Sequence, residues 1–278
     1  MHIWDFTLLI FAGAFGAGLL GSLTGLGGGV VIVPMLTLLF GVDLKYAVGA
    51  SLVSVIATSS GAAAVYVKEG ISNIRIGMFL EIATTIGAVI GAYLVGVLSP
   101  NVIAVIFGLL LIYSAYFSYH PRKERTDTSH PDSLATRLKL NGAYPTKGGP
   151  KKYFVHRVPG GFGICFLAGS LSGLLGIGGG AVKVIAMDQM MRIPFKVSAT
   201  TSNFMIGVTA AASAGIYLSR GYIDPGLSMP VMLGVLSGSM FGSRVLSQTK
   251  TRKLRTVFAI VIFVLAIEMI YNGLAGRI

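Results

Sequence analysis

From Trp4 to Phe40 nearly every position is apolar, and the run is interrupted by Gly25-Leu26-Gly27-Gly28-Gly29. Contiguous glycines lose more conformational freedom on ordering than other residues, so the pattern predicts a helix that breaks there, Trp4–Ser22 followed by Val30–Phe40. At 1.5 Å per residue the second piece reaches only about half-way across a hydrocarbon core of roughly 30 Å. A re-entrant hairpin or broken helix is therefore expected. Three full-length spans follow, Tyr46–Val67, Ile74–Leu98 and Val102–Tyr119. The pattern then lapses. His120 to Pro159 is polar, proline-containing and basic, and reads as a water-side linker with partial disorder and a short surface helix at Leu134–Leu140. Apolar periodicity returns with a second broken unit, Phe162–Met191, built around Gly176-Ile177-Gly178-Gly179-Gly180. The spans Val197–Leu218, Leu227–Leu246 and Val257–Leu274 complete the chain.

The two apolar regions are one pattern written twice. A constant shift of 151 residues aligns Phe11/Phe162 through Phe107/Phe258 without a gap and matches residues of unrelated chemistry. Gly18/Gly169, Lys45/Lys196, Ser51/Ser202, Thr58/Thr209, Tyr66/Tyr217, Gly70/Gly221 and Gly87/Gly238 all coincide. An internal duplication follows, with a first membrane repeat at 1–119, a basic linker at 120–160 and a second repeat at 161–278.

Composition sharpens this into a membrane protein. Hydrophobic residues make up 54% of the 278 and charged residues 12%, against roughly 25% charged in soluble chains. The formal charge of +12 does not indicate nucleic acid, because the basic residues lie between the apolar runs and bear instead on orientation. If each broken unit crossed the membrane once, the repeats would be parallel and five basic residues between Arg244 and Arg255 would fall in one external loop. If each enters and leaves on one side, the repeats are inverted. The cytoplasmic side then holds eighteen basic residues and the outside only Lys45, Arg220 and Arg277. The preference of Lys and Arg for the cytoplasm selects the inverted arrangement, with the linker cytoplasmic and both termini outside. The fold class expected is an all-α polytopic membrane protein of two inverted repeats. Such symmetry is typical of secondary transporters, whose discontinuous helices meet near the midplane. No removable signal peptide is read at the N-terminus.

The chemistry to be placed is sparse. Cys165 has no partner for an intrachain disulfide, and the linker histidines match no metal spacing. No Walker sequence, H-E-x-x-H or G-x-S-x-G occurs, so neither ATP drive nor an enzyme is expected, and no cofactor or metal. The glycines Gly25, Gly27, Gly28 and Gly29, with Gly176, Gly178, Gly179 and Gly180, would bare backbone amides at the start of the short helices. Amides there, with the helix dipole behind them, favour an anion; the alternative role is close helix packing. Gly87-x-x-x-Gly91 and Gly238-x-x-x-Gly242, by contrast, read as helix contacts within full spans.

Lys183 lies three positions beyond Gly180 in an apolar stretch, where its counterpart is Ile32. A lysine at membrane depth costs about 2.5–3.5 kcal/mol on insertion scales and so faces a partner, a cavity or a substrate, unless it snorkels to the surface. Asp188 is a candidate partner or proton carrier. Thr200, Thr201, Ser202 and Asn203, with Ser51, are polar enough to donate to an anion. Glu81, whose counterpart is Met232, is a second proton-coupling candidate, with pairing to Arg75 as its alternative.

The duplicated G-L/I-G-G-G loops, Ala50-Ser51-Leu52 with Tyr66 and Gly70, and Ser198-Ala199-Thr200-Thr201-Ser202-Asn203 with Tyr217 and Gly221 resemble the sulfite exporter TauE/SafE family, also called toluene-sulfonate uptake permeases. The resemblance covers the chain except the linker. It implies a polytopic transporter of sulfur-containing anions such as sulfite, sulfoacetate or other sulfonates, in the cytoplasmic membrane. The partners expected are a small anionic substrate and the lipid bilayer, with a homodimer kept open and no nucleic acid. An anion channel of the same fold is the main alternative; an intramembrane enzyme or an assembly protein ranks below it.

Overall fold

The structure is a computed structural model that describes residues 3–24, 28–68, 70–119, 132–146, 149–246 and 251–278. Helix α1 (Ile3–Thr24) is followed after the first glycine stretch by α2 (Gly29–Pro34), which runs into a π-helical turn at Met35–Leu39. Then come α3 (Leu44–Lys68), α4 (Ile74–Leu94) and α5 (Pro100–Tyr119). The second repeat follows the same order. α7 (Val158–Leu175) breaks before α8 (Gly180–Ile185), which again ends in a π turn, Ala186–Met190. α9 (Phe195–Ser219), α10 (Pro225–Leu246) and α11 (Thr251–Leu274) complete it. The protein is mostly helical, as the apolar pattern requires, and it breaks where the glycines stand. Gly25, Leu26 and Gly27 lie outside the described residues.

The repeats are packed through each other. α1 lies on α10 and α4 on α7, while α3 faces α9 and α5 faces α11. The 151-residue shift turns the α1–α10 contact into the α7–α4 contact, so the packing has the exchange pattern of a two-fold rotation. Small residues make it possible, because backbones approach closely only where no side chain intervenes. A Cβ on Gly169 would strike the Thr84 carbonyl, and one on its counterpart Gly18 would strike that of Val235. Gly87 meets the Phe166 carbonyl as Gly238 meets that of Phe15, and Gly91 abuts Ser170. The expected contact role of Gly87, Gly91 and Gly238 is the one observed.

Outward faces are apolar. On α4 the exposed positions Met78, Ile82, Ile86 and Ile90 form a stripe at four-residue spacing, and Leu80, Ala83, Thr84, Ala88 and Ala92 on the other side are buried. α11 does the same with Ile260, Phe263, Val264, Ile267 and Tyr271. Stripes of this kind exceed what a soluble surface tolerates and suit contact with hydrocarbon. Among the described residues two helices, Ile74–Leu94 and Val158–Leu175, are long and apolar enough to cross a membrane by themselves, and shorter apolar helices accompany them.

In the second half of the linker a short helix stands close to the expected one at Leu134–Leu140, and a hairpin that was not expected follows it. Asp132 caps a short helix α6 (Ser133–Arg137) by accepting from the Leu134 amide. A two-stranded antiparallel hairpin follows, β1 (Gly142–Thr146) with β2 (Gly149–Tyr153). Leu140, Tyr144, Tyr153 and Val155 provide the reason, since they are buried together with Ile76 and Leu80 of α4 and Val158 of α7. Asn73 pins this unit to the bundle. Its Nδ2 donates to the Leu140 carbonyl (3.2 Å) and to the Tyr153 hydroxyl (2.7 Å), and its Oδ1 accepts from the Ile76 amide at the start of α4. Its own amide donates to Thr201 Oγ1 on α9 (3.0 Å). Burial pushes the Tyr153 phenol above the ordinary tyrosine range, and the Asn73 hydrogen bond offsets part of that.

Backbone conformation is shared where residues are not. Gly41 has φ of 64°, and its counterpart 151 residues on, Arg192, has φ of 56°. A left-handed arginine is uncommon, because its Cβ crowds the following carbonyl.

Candidate functional site

The second glycine stretch forms a tight turn between α7 and α8. Gly176, Gly178 and Gly179 are all left-handed, with φ of 70°, 71° and 65°. Space as well as φ dictates glycine here. A Cβ on Gly178 would lie 2.6 Å from Ile206 Cγ2, and one on Gly179 would lie 2.7 Å from the Ala168 carbonyl.

The two glycine stretches meet. A Cβ on Gly29, at the start of α2, would lie 2.8 Å from Ser51 Oγ and 3.1 Å from the Gly176 carbonyl oxygen. Ser51 Oγ donates to that carbonyl at 2.8 Å, and Ser202 Oγ donates to the Gly180 carbonyl at 3.2 Å. The equivalent serines of the two repeats thus both fasten the second turn. Gly29, Ser51, Gly176, Gly178, Gly180 and Ser202 therefore gather around Val55 and Ile206. Gly28 is buried against Val235 and Gly18. Gly25 and Gly27 lie outside the described residues.

Lys183, one turn into α8, is fully enclosed at 0% exposure. Its ammonium donates to the Met205 carbonyl (3.3 Å) and to Thr209 Oγ1 (2.5 Å) on α9. Thr209 Oγ1 lies 2.6 Å from Glu81 Oε1, and its hydroxyl also has the Met205 carbonyl within reach at 2.9 Å. Glu81, on α4, is 8% exposed. Oε1 also accepts from Thr85 (3.3 Å), whereas Oε2 is buried without a hydrogen-bond partner. A lysine of one repeat and a glutamate of the other are thereby joined through a threonine inside an apolar bundle. Each charge would be costly to enclose alone.

The other sequence candidates do other things. Thr200 Oγ1 turns back on its own helix, to the Lys196 and Val197 carbonyls. Thr201 holds Asn73. Asn203 is half-buried on α9, and Asp188 is half-buried on the π turn and is not among the hydrogen-bond partners of Lys183. Arg75 is exposed, and the hydroxyls at Glu81 belong to threonines. Sequence reasoning did not place Thr209 at a site. Its seven-residue spacing from Ser202, two helical turns on one face, was the available signal. A cavity of about 270 Å³ lies elsewhere, where the α3–α4 turn meets the linker hairpin, lined by Arg75, Lys139, Asn73, Asn141 and Tyr153 among others.

Comparison with known proteins agrees with this architecture. Residues 10–269 match the family model described as Sulfite exporter TauE/SafE. The probable membrane transporter protein YunE of Bacillus subtilis (strain 168) is 28% identical, covering 97% of this chain and 99% of its own length. YdhB of the same organism, also described as a probable membrane transporter protein, is 25% identical over 85% of this chain and 89% of its own. The probable membrane transporter protein MJ0441 of Methanocaldococcus jannaschii is 25% identical over 95% and 94%. No solved structure matches the chain.

Proposed function

This chain belongs to the sulfite exporter TauE/SafE family, and from that premise we propose that it is a secondary transporter of small sulfur-containing anions, sulfite or an organosulfonate such as sulfoacetate. That it is a multi-pass membrane transporter and not an enzyme follows from the family and from the relatives' descriptions. The finer reading adds that the repeats at 1–119 and 161–278 are inverted, that the linker at 120–160 is cytoplasmic, and that access alternates around a midplane site at the two glycine turns. Coupling to protons through Glu81 or Asp188 is part of the proposal.

The observation that carries it is Lys183, enclosed completely just beyond a turn where the two glycine stretches meet. A cation at that depth in an apolar bundle is costly, so its position is by default a functional one. The substrate would be held by Lys183, by backbone amides of the turns centred on Gly28–Gly29 and Gly178–Gly180, and by hydroxyls of Ser51 and Ser202, with Thr200, Thr201 and Asn203 along α9 in supporting positions. First-turn amides of a helix lack intrahelical acceptors and suit an anionic oxygen.

Reconstitution tests this. Proteoliposomes loaded against radiolabelled sulfite, sulfate, thiosulfate, sulfoacetate and carboxylates should take up a sulfur anion against its gradient when a pH gradient is imposed. Uptake that only dissipates a gradient would assign a channel. No flux of any sulfur anion by folded protein would overturn the proposal.

A further inference from the structure

The packing of this protein is two-fold, but its charge is not. Under the 151-residue shift Lys183 becomes Ile32, Glu81 becomes Met232 and Thr209 becomes Thr58. Both charges are replaced by apolar residues at the equivalent place. Thr58 there donates to carbonyls of its own helix, those of Ser54 and Val55. The lysine comes from the second repeat and the carboxylate from the first, and each repeat lacks at the matching position the charge that the other carries.

We propose that Glu81 is a tethered competitor of the substrate: its carboxylate acts as the counter-ion of Lys183 in the empty transporter, and an anion arriving at the second glycine turn takes its place. The proposal rests on the function given above for the identity of the site, and it adds what must happen for the site to open.

The geometry shows why the two anions compete. Lys183 donates to the oxygen of Thr209, and the single hydroxyl hydrogen has Glu81 Oε1 as its shortest acceptor at 2.6 Å, ahead of the Met205 carbonyl at 2.9 Å and Thr84 Oγ1 at 3.3 Å. Ammonium, hydroxyl and carboxylate therefore form one directed chain across α8, α9 and α4. All three side chains are enclosed, with Thr209 and Lys183 at 0% exposure. Two opposite charges balance in such a place; a second anion at Lys183 leaves an excess negative charge with little water to screen it. Glu81 has a place for the proton that removes the excess. Oε1 is engaged by Thr209 and Thr85, but Oε2 has no hydrogen-bond partner. A proton bound at Oε2 makes the carboxyl neutral and leaves the ammonium to the incoming anion. The titratable groups facing Glu81 are Lys183 from α8 and, beside both, the Cys165 thiol from α7. α9 contributes the uncharged Thr209, and α4 itself Thr84 and Thr85. Proton and anion therefore favour each other's binding and travel in the same direction.

The experiment uses the full chain in lipid nanodiscs and reads its melting temperature at constant ionic strength against chloride and methanesulfonate, whose charge is constant across the working pH range. Wild-type protein should be stabilised by these anions more strongly as pH falls. Glu81→Gln should respond at anion concentrations about tenfold lower or less, the scale of an ordinary coupling between sites, and with the pH dependence gone. Lys183→Met added to it should abolish the response. Thr209→Val, which keeps both charges and cuts the chain between them, should shift the response in the same direction by less, and it serves where Glu81→Gln does not fold. Glu81→Gln or Thr209→Val responding no better than wild type would overturn the competitor. A gain in Glu81→Gln without transport of any sulfur anion by wild type would instead overturn the substrate assignment and leave the competitor standing.

Discussion

Giving each repeat the residue that the other carries at its charged position isolates the buried charge pair. Lys183→Ile and Glu81→Met install the residues that the first repeat and the second repeat carry at the equivalent positions, Ile32 and Met232. Each single change leaves the remaining charge enclosed without its partner, since Lys183 is 0% and Glu81 8% exposed. Breaking a buried pair in this way costs about 3–5 kcal/mol, whereas replacing both members by apolar side chains ranges from neutral to about 1–4 kcal/mol stabilising. With roughly 2–4 °C per kcal/mol for chains of somewhat smaller size, each single variant should melt about 6–20 °C below wild type. The double variant should melt at or above wild type, which makes the coupling in the cycle at least as large as the two single losses together. Fluorescence-detected size exclusion after heating, on protein purified in detergent, gives the four melting temperatures. Additive losses, with the double variant worse than either single one, would refute the pairing and reduce the chain through Thr209 to incidental packing.

Three further outcomes follow from the packing. Gly91→Leu drives a side chain into the Ser170 backbone at the α4–α7 contact and should cost about 1–3 kcal/mol or more, read as a fall in the yield of monodisperse protein. Asn73→Ala removes the α4 cap and the bonds to Leu140 and Tyr153, worth about 1 kcal/mol each; proteolysis within residues 142–153 should accelerate while the bundle stays intact. Because burial raises the Tyr153 phenol, the docking it supports is fully present below the unfolded tyrosine value of about 10 and is lost as pH climbs through the folded one. The protection of the hairpin amides, taken relative to their intrinsic exchange rates, should therefore be flat through neutral pH and fall in strong base.

The helices and their breaks were legible because hydropathy and glycine act locally: a run of apolar residues interrupted at Gly176–Gly180 has few ways to cross or enter a bilayer. The contact glycines were legible for the same reason, since spacing along one helix fixes one face. What was hidden is what depends on the partner helix. Thr200 and Thr201 adjoin Ser202 in sequence, yet one bonds its own helix and the other the α3–α4 turn at Asn73, while Thr209 two turns away reaches Glu81. A polar run does not say which of its members face inward together. The hairpin was hidden too, since β1 contains Pro145 and β2 two lysines, a poor strand composition. The buried tyrosines Tyr144 and Tyr153, not local propensity, hold it down.

At Gly41 and Arg192 the same left-handed turn stands at matching positions of both repeats, on a glycine in one and on an arginine in the other. Glycine suits that conformation and arginine does not, so the turn is held by the packing around it and not by the residue at its apex. Lys183 and Glu81 are unmatched in the same way: the lysine stands in the second repeat only and the glutamate in the first only, on scaffolding the repeats share. With matching helices on both sides of the linker, this protein can keep one frame and still make one of its two glycine turns unlike the other.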